Sequence, residues 1–204
     1  MIIEIQENVG QELIKAAEHD TAVRIELEKD GALFDGYHPI MRSVHEKNAD
    51  LLTKFIDSYG WPAPSKWGQE IHEAAWLIAI HTISRPDVLR RALHELKRAL
   101  DDGELVAEQY ARLFDRIALY EGRQQEYGTQ FFPNENGKWY ARDLDSVEKA
   151  EERRLAIGMI SFEQNQKEVN EWAATLPTVP PPINEEKFLQ FLIEVGWRNQ
   201  DKNN

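Results

Sequence analysis

The amino-acid sequence predicts a mainly α protein, organised as a single-domain helical bundle around a central apolar helix at residues 67–82, with a small β-hairpin near residues 127–142. In most segments, apolar residues recur at the spacing of one helix face. Residues 67–82 are apolar nearly all round, which is typical of a helix surrounded by other helices. Asn136-Gly137 lies among aromatic residues and is a strong signal for a hairpin turn.

The first two helices are predicted at residues 8–29 and 39–59. Each has an apolar stripe, formed by Val9, Leu13, Ala16, Ala17, Val23 and Leu27 in the first and by Met41, Val44, Leu52, Phe55 and Ile56 in the second. Gly31 and Gly36 predict a turn between the two helices. The second helix is bounded by residues that start or stop helices, namely Pro39 at its beginning and Gly60, Pro62 and Pro64 at its end.

After the central helix, further helices are predicted at residues 86–100 and 104–121, because Pro86 favours a helix start and Gly103 and Gly122 favour helix ends. Beyond the hairpin, residues 143–156 and 161–174 read as polar, amphipathic helices.

The end of the chain contains a proline-rich strap at residues 175–183, followed by an apolar segment at residues 184–197. That segment is too apolar to remain solvated alone, so we expect a helix that docks on its own core or on a neighbour. We therefore expect a helical core domain at residues 1–160 and a C-terminal appendage at residues 161–204.

Composition excludes several classes of function. At 204 residues and 42% hydrophobic content, the chain can bury one substantial core. Its net charge of -12, from 36 acidic and 24 basic residues, opposes a phosphate-binding surface, so we expect no nucleic-acid partner. No apolar run approaches the roughly 20 residues that span a bilayer, and no export signal is visible, so we expect a cytoplasmic protein with no membrane partner. The absence of cysteine excludes disulfides, thiolate metal sites and cysteine nucleophiles.

Polar side chains in the apolar stripes of three predicted helices are the first candidates for a site, because such groups are costly to bury without a partner. Asp20 and Arg24 lie four residues apart, which allows an ion pair or leaves Arg24 to bind an anion. His45 and Asn48 face inward from the second helix, either to bond neighbouring carbonyls or, for His45, to act as a general base. His81 ends the central helix, where capping is an alternative to catalysis.

A second group of candidates leaves the helix at residues 104–121 and enters the hairpin. We expect these residues to form the rim of the same pocket: Asp115, Arg116, Gln125, Tyr127 and Gln130, with Arg154 as further positive charge. The alternatives are structural. Asp115 then pairs with Arg112, the two glutamines satisfy the sheet edge or helix ends, and Arg154 is an exposed partner of Glu151 or Glu152.

Common catalytic and metal motifs do not occur. The sequence has no glycine-rich phosphate loop, nucleophile turn, zinc-protease helix or kinase signature. His72 and His81 are nine residues apart, so they do not form a helical metal pair, and we predict no metal. A site assembled from His45, His81 and Asp115 by tertiary contact stays open.

Several short motifs occur together: Leu33-Phe34-Asp35-Gly36-Tyr37-His38-Pro39, Val44-His45, Asn48-Ala49, Gly60-Trp61-Pro62, Ala74-Ala75-Trp76-Leu77-Ile78, His81, Asp115-Arg116, Glu121-Gly122-Arg123 and Tyr127-Gly128-Thr129-Gln130. In this combination, over roughly residues 10–160, the chain resembles an uncharacterised bacterial family of helical proteins marked by the final Tyr-Gly-Thr-Gln. The resemblance implies a bacterial origin and a compact helical domain, and it implies no particular reaction.

Two functional hypotheses follow. The first is an interior polar pocket for a small polar or anionic ligand, in a hydrolase, a group-transfer enzyme or a binding protein. In the enzyme version, His45 or His81 is the general base, Asp115 orients it, and Arg24 or Arg116 stabilises negative charge. The second is a non-catalytic interaction or accessory protein that forms a homo-oligomer or binds a partner through residues 184–197. The sequence leaves open whether the chain is an enzyme and identifies no cofactor.

Overall fold

The computed structural model describes residues 2–29, 37–105, 107–134, 136–176 and 184–199, with side chains from residue 8 onward. Over these residues the chain forms nine helices and one antiparallel pair of strands: α1 (Ile2–Lys29), α2 (Pro39–Tyr59), α3 (Pro64–Trp67), α4 (Gln69–His81), α5 (Pro86–Asp101), α6 (Ala107–Tyr120), β1 (Phe131–Pro133), β2 (Trp139–Ala141), α7 (Val147–Ala156), α8 (Phe162–Ala173) and α9 (Glu185–Glu194). The prediction of a mainly α fold with a small hairpin is confirmed. The turn expected at residues 31–36 and most of the strap, 177–183, lie outside the described residues.

Several helix starts differ from the predicted ones: α1 begins at Ile2 instead of residue 8 and α6 at Ala107 instead of residue 104, and two further differences have a local cause. The central helix is interrupted at Gly68, whose φ of 84° lies in the left-handed region, so that α3 is a separate turn before α4. The helix expected from residue 143 begins only at Val147, because Asp143 has a φ of 52° and Ser146 caps α7 by accepting a hydrogen bond from the Lys149 N–H.

The contacts of the chain divide it into two compact units. Among the described residues, the first unit contains everything up to residue 105 together with residues 184–199, and the second contains residues 107–176. This grouping differs from the expected division at residue 160, because the second unit starts at α6 and α9 belongs to the first unit. None of the described helices is both long enough and apolar enough to cross a bilayer.

In the first unit, α4 packs against α1, α2 and α5. The core is made of apolar side chains from these helices, among them Leu13, Leu52, Phe55, Ile78, Leu89 and Leu96. A Cβ at Gly10 would overlap the side chain of Ile71, so α1 and α4 approach closely. This close packing brings the polar positions of α1, α2 and α4 together.

The C-terminal helix α9 docks within the first unit. Phe191, Leu192 and Trp197 are buried, and the Trp197 indole N–H donates a 2.7 Å hydrogen bond to the carbonyl of Ile83. At the surface, Glu194 pairs with Arg42 of α2 at 2.7 Å. These buried apolar residues are therefore covered by the chain itself, and an oligomer through residues 184–197 stays a prediction.

In the second unit, α8 supports the hairpin. The Trp139 carbonyl accepts hydrogen bonds from the side chains of Gln166 (2.6 Å) and Asn170 (3.1 Å), and Asn170 accepts a third from the Trp139 N–H. The Trp139 ring also meets Trp172 edge to face. The two short strands are thus held by a helix rather than by each other alone.

Candidate functional site

The structure places the candidate residues in two clusters, one in each unit. Asp20, Asn48, His45 and His81 come together in the first unit, where α1, α2 and α4 meet. The second unit contains a network formed by Asp115, Arg116, Gln125, Tyr127, Gln130 and Arg154. Arg24 belongs to neither.

Of the two alternatives for Arg24, an ion pair with Asp20 or a free guanidinium for an anion, the structure does not form the first. The Arg24 side chain is 49% exposed and pairs with Glu28 at 3.0 Å, one turn further along α1. Four residues advance a helix by about 400°, so position 24 is rotated by about 40° from position 20, and the long Arg24 side chain extends into solvent. Asp20 itself is fully buried.

Asp20 is the centre of the first cluster. Its Oδ1 accepts a 2.9 Å hydrogen bond from His81 Nδ1. Its Oδ2 accepts a longer one, 3.4 Å, from the Asn48 amide, which also donates to the Ala16 carbonyl. Burial alone would raise the pKa of the Asp20 carboxyl, but the two histidines more than offset this and hold the pKa well below its ordinary value. Asp20 is therefore an ionised carboxylate facing two imidazoles.

His45 is buried, with 6% of its surface exposed, and its two ring nitrogens have different surroundings. Nδ1 lies 2.6 Å from the Tyr37 hydroxyl. Nε2 lies 3.2 Å from Asp20 Oδ2, close enough for an ion pair, but it makes no hydrogen bond with any of the described residues. An unpaired buried polar atom costs about 1–3 kcal/mol, so the structure tolerates an unused nitrogen at its centre.

Tyr37 and Phe191 extend the cluster, and sequence reasoning missed both. The Tyr37 ring stacks against His45 and meets the Phe191 ring edge to face, with centroids 4.8 Å apart. Tyr37 lies just before α2, where helical periodicity carries no information, and Phe191 was interpreted only as part of an apolar surface. The signal available for Tyr37 was its position in the Leu33 to Pro39 motif.

Asp115 does not orient a histidine as predicted. Its Oδ1 accepts hydrogen bonds from the N–H groups of Glu126 and Tyr127, at 2.8 and 3.1 Å. Its Oδ2 accepts bonds from the N–H and the hydroxyl of Thr129, both at 2.9 Å. Burial raises the pKa of the Asp115 carboxyl, although these hydrogen bonds oppose the rise. The alternative pair with Arg112 is also wrong, because Arg112 pairs with Glu108.

The remaining residues of the second cluster bond mainly to main chain of their own unit. Gln125 is fully buried and bonds the carbonyls of Gln130 and Arg142 and the N–H of Gln130. Arg116 donates to the Gln130 side chain at 3.1 Å. Arg154 is buried rather than exposed, and it donates to the carbonyls of Ile160 and Tyr127. These contacts fix the shape of residues 121–130.

The Tyr-Gly-Thr-Gln segment has a structural role at each position. Tyr127 packs edge to face against Tyr110 and Phe114, and burial raises the pKa of its phenol to about 12. Gly128 has a φ of 64°, Thr129 binds Asp115, and Gln130 bonds Gln125. The contacts of the second cluster hold its own loop, whereas the first cluster contains a buried nitrogen, His45 Nε2, that has no hydrogen-bond partner among the described residues. Trp67 Nε1 and Ser84 Oγ of the same unit share this property, but neither lies beside a carboxylate in the described contacts.

Asp20, His45 and His81 are the described residues able to hold a cation together. Each offers one ligand atom, and these three atoms lie within 4.8 Å of one another. Of the residues of the predicted tertiary site, His45 and His81 lie together in the structure, and the carboxylate beside them is Asp20, whereas Asp115 bonds to its own loop. That these histidines form a functional site stays a prediction.

Comparison with known proteins identifies a family for this chain. The model of a family of unknown function, DUF6624, matches residues 7–171, which is most of the chain. No curated protein and no solved structure matches significantly. The resemblance to a family without an assigned reaction is confirmed, while the bacterial origin and the status of Tyr-Gly-Thr-Gln as its signature stay predictions.

Proposed function

We propose that this chain, which belongs to the DUF6624 family of unknown function, binds a small polar molecule at the Asp20–His45–His81 cluster and catalyses hydrolysis or group transfer on it. The observation that carries the proposal is the unpaired Nε2 of His45, buried 3.2 Å from an ionised carboxylate. Most buried nitrogens are hydrogen-bonded, and Trp67 Nε1, which is also unpaired, can only donate, whereas an imidazole nitrogen can accept a proton or bind a cation. An unused one is available to a ligand.

The chemistry of the cluster suits the activation of water or of a substrate hydroxyl. A nitrogen lone pair accepts a proton or binds a cation, and a neighbouring carboxylate stabilises the positive charge that results. The His81 side chain is 21% exposed, so solvent reaches this side of the cluster, and a ligand would enter from there. Arg24 pairs with Glu28 and not with Asp20, so the negative charge of the cluster is that of the buried Asp20 carboxylate. This negative charge favours a neutral polar ligand over a bare anion.

A ligand screen with a histidine variant tests this proposal. We expect a sugar, alcohol, amide or ester from a library of small polar compounds to raise the melting temperature of the wild-type protein by about 5 °C or more at about 100 times Kd. The His45→Gln variant should lose this rise. The His94→Gln variant, which changes an exposed histidine on α5 of the same unit, should keep it. Mass spectrometry of the compounds after incubation then detects turnover.

Two results would contradict the proposal: a wild-type protein that no compound stabilises, or a stabilisation that His45→Gln retains in full. The second hypothesis, an accessory protein working through α9, has less support, because Phe191, Leu192 and Trp197 are buried within the first unit. A bacterial, cytoplasmic setting is part of the proposal, and the lack of cysteine agrees with it.

A further inference from the structure

We infer that Asp20, His45 and His81 bind a divalent transition-metal ion of the zinc type through one carboxylate oxygen and two imidazole nitrogens. This inference rests on the proposed function, because it names what activates the ligand at that site. It departs from the sequence-based prediction of no metal. That prediction considered spacing along a single helix, whereas these ligands come from α1, α2 and α4.

The distances suit a small cation. Zinc binds imidazole nitrogens and carboxylate oxygens at about 2.0–2.2 Å, so ligand atoms around a tetrahedral ion lie about 3.3 Å apart. Each imidazole lies beside a different Asp20 oxygen, His45 Nε2 at 3.2 Å from Oδ2 and His81 Nδ1 at 2.9 Å from Oδ1, and one ligand atom from each of the three residues lies within 4.8 Å of the others. An ion replaces the proton that His81 Nδ1 donates to Asp20. The two imidazole rings have centroids 5.4 Å apart, so both stand next to the same carboxylate, and the ligand atoms have to draw together to reach the spacing around a bound ion.

The surroundings of His45 prepare its Nε2 for a metal. A metal-bound histidine almost always donates its other ring N–H to an acceptor, which places the lone pair on the coordinating nitrogen. The Tyr37 hydroxyl oxygen lies 2.6 Å from Nδ1 and can accept such a bond when Nδ1 carries the proton. Asn48 similarly holds Asp20 by donating to Oδ2 while it also donates to the Ala16 carbonyl of α1. Both ligands are thus oriented by neighbours that do not touch the ion.

The ligand set selects the class of ion. Two imidazoles favour zinc, iron, nickel or copper over magnesium and calcium, which prefer oxygen ligands. Three protein ligands leave at least one coordination position open, as in catalytic rather than structural zinc sites. When bound, such an ion supplies a water of lowered pKa and the positive charge that an anionic substrate needs. With the ion bound, the site would therefore accept anionic as well as neutral molecules.

Direct metal binding tests the inference without any assay of activity. After treatment with a chelator, the full chain should bind about one equivalent of Zn²⁺ by isothermal titration, and Co²⁺ should give the visible absorption of a low-symmetry N/O site. Mg²⁺ should not compete. Binding should weaken by on the order of 100-fold in His45→Gln and in Asp20→Asn, because each removes one of three ligands.

The chain offers matched controls. His19 is exposed although it directly precedes Asp20, so His19→Gln should bind Zn²⁺ like the wild type, as should His94→Gln. Tyr37→Phe removes the partner of His45 Nδ1 but no ligand, and it should weaken binding by roughly 10-fold. This milder variant, together with the Co²⁺ spectrum of the wild type, still decides the matter if the ligand variants fail to fold.

The inference is overturned if the wild type binds neither Zn²⁺ nor Co²⁺ in a saturable manner, or if folded His45→Gln and Asp20→Asn bind as tightly as the wild type. Its failure is distinguishable from that of the proposed function. If a polar compound binds the metal-free protein and this binding depends on His45, the proposed function is supported although the metal site is not. If metal binding depends on His45 but neither the metal-free nor the metal-loaded protein binds any compound of the screen, the metal site is supported and the proposed function is contradicted.

Discussion

Replacing Asp115 with alanine should lower the free energy of unfolding by about 3–5 kcal/mol. The carboxylate accepts hydrogen bonds from three main-chain N–H groups and one hydroxyl in residues 126–129. Each donor left unpaired inside the protein costs about 1–3 kcal/mol, and water entering the gap recovers only part of this. Urea denaturation followed by circular dichroism measures the loss.

Glu108→Gln is the matched control, because it lies on the same helix and removes an exposed pair with Arg112. It should cost no more than about 0.5 kcal/mol. The loss of stability in Asp115→Asn should lie between those of Asp115→Ala and Glu108→Gln. The asparagine amide keeps one acceptor oxygen, but its NH₂ group faces N–H donors that it cannot bond. An Asp115→Ala protein as stable as the control would show that the carboxylate does not fix the segment.

Replacing Gly128 with alanine should lower the free energy of unfolding by about 3 kcal/mol. Alanine at a φ of 64° is strained by about 1 kcal/mol, and a Cβ there would lie 2.5 Å from Phe162 Cε2, a buried ring with little freedom to move. Gly158 separates these causes, because its φ is 73° but nothing lies within 4 Å of the added Cβ. Gly158→Ala should therefore cost only about 1 kcal/mol.

In a Phe162→Leu background, Gly128→Ala should cost less than it does in the wild type, because the smaller side chain leaves room for the methyl group. Thermal and urea unfolding of the four proteins of this cycle give the comparison. Equal costs at Gly128 and Gly158 would mean that the packing against Phe162 is unimportant and that the conformation alone demands glycine.

Much of the helical architecture is predictable from the sequence, since one-sided apolar periodicity requires a helix to bury its stripe. Prediction fails at Gly68, because only the folded backbone reveals that this glycine adopts a positive φ and ends α3. The cost of burying polar groups likewise identifies Asp20, His45, Asn48 and His81 as candidates. It does not reveal which groups meet, because residues far apart in sequence are joined by tertiary packing.

Arg24 and Asp115 show the two limits of that reasoning. Arg24 lies at a position consistent with the apolar stripe, but a long side chain reaches solvent from a partly buried backbone, so helix position alone does not determine its partner. Asp115 is buried as expected, yet its partners are main-chain N–H groups of a loop, whose path has no periodic signal in the sequence. A buried charged residue therefore indicates that hydrogen-bond partners surround it, but the sequence does not show whether those partners stabilise the fold or form a functional site.

The protonation of the His45 ring tests the central claim most directly. Long-range ¹H–¹⁵N correlation spectra of ¹⁵N-labelled, metal-free protein at about pH 8 distinguish a ring nitrogen that carries a proton from one that carries a lone pair. We predict that Nε2 carries a lone pair once Zn²⁺ or a ligand found by the screen is bound, and that its signal shifts on that addition. A proton on Nε2, shared with Asp20 and unaffected by either addition, would contradict the account.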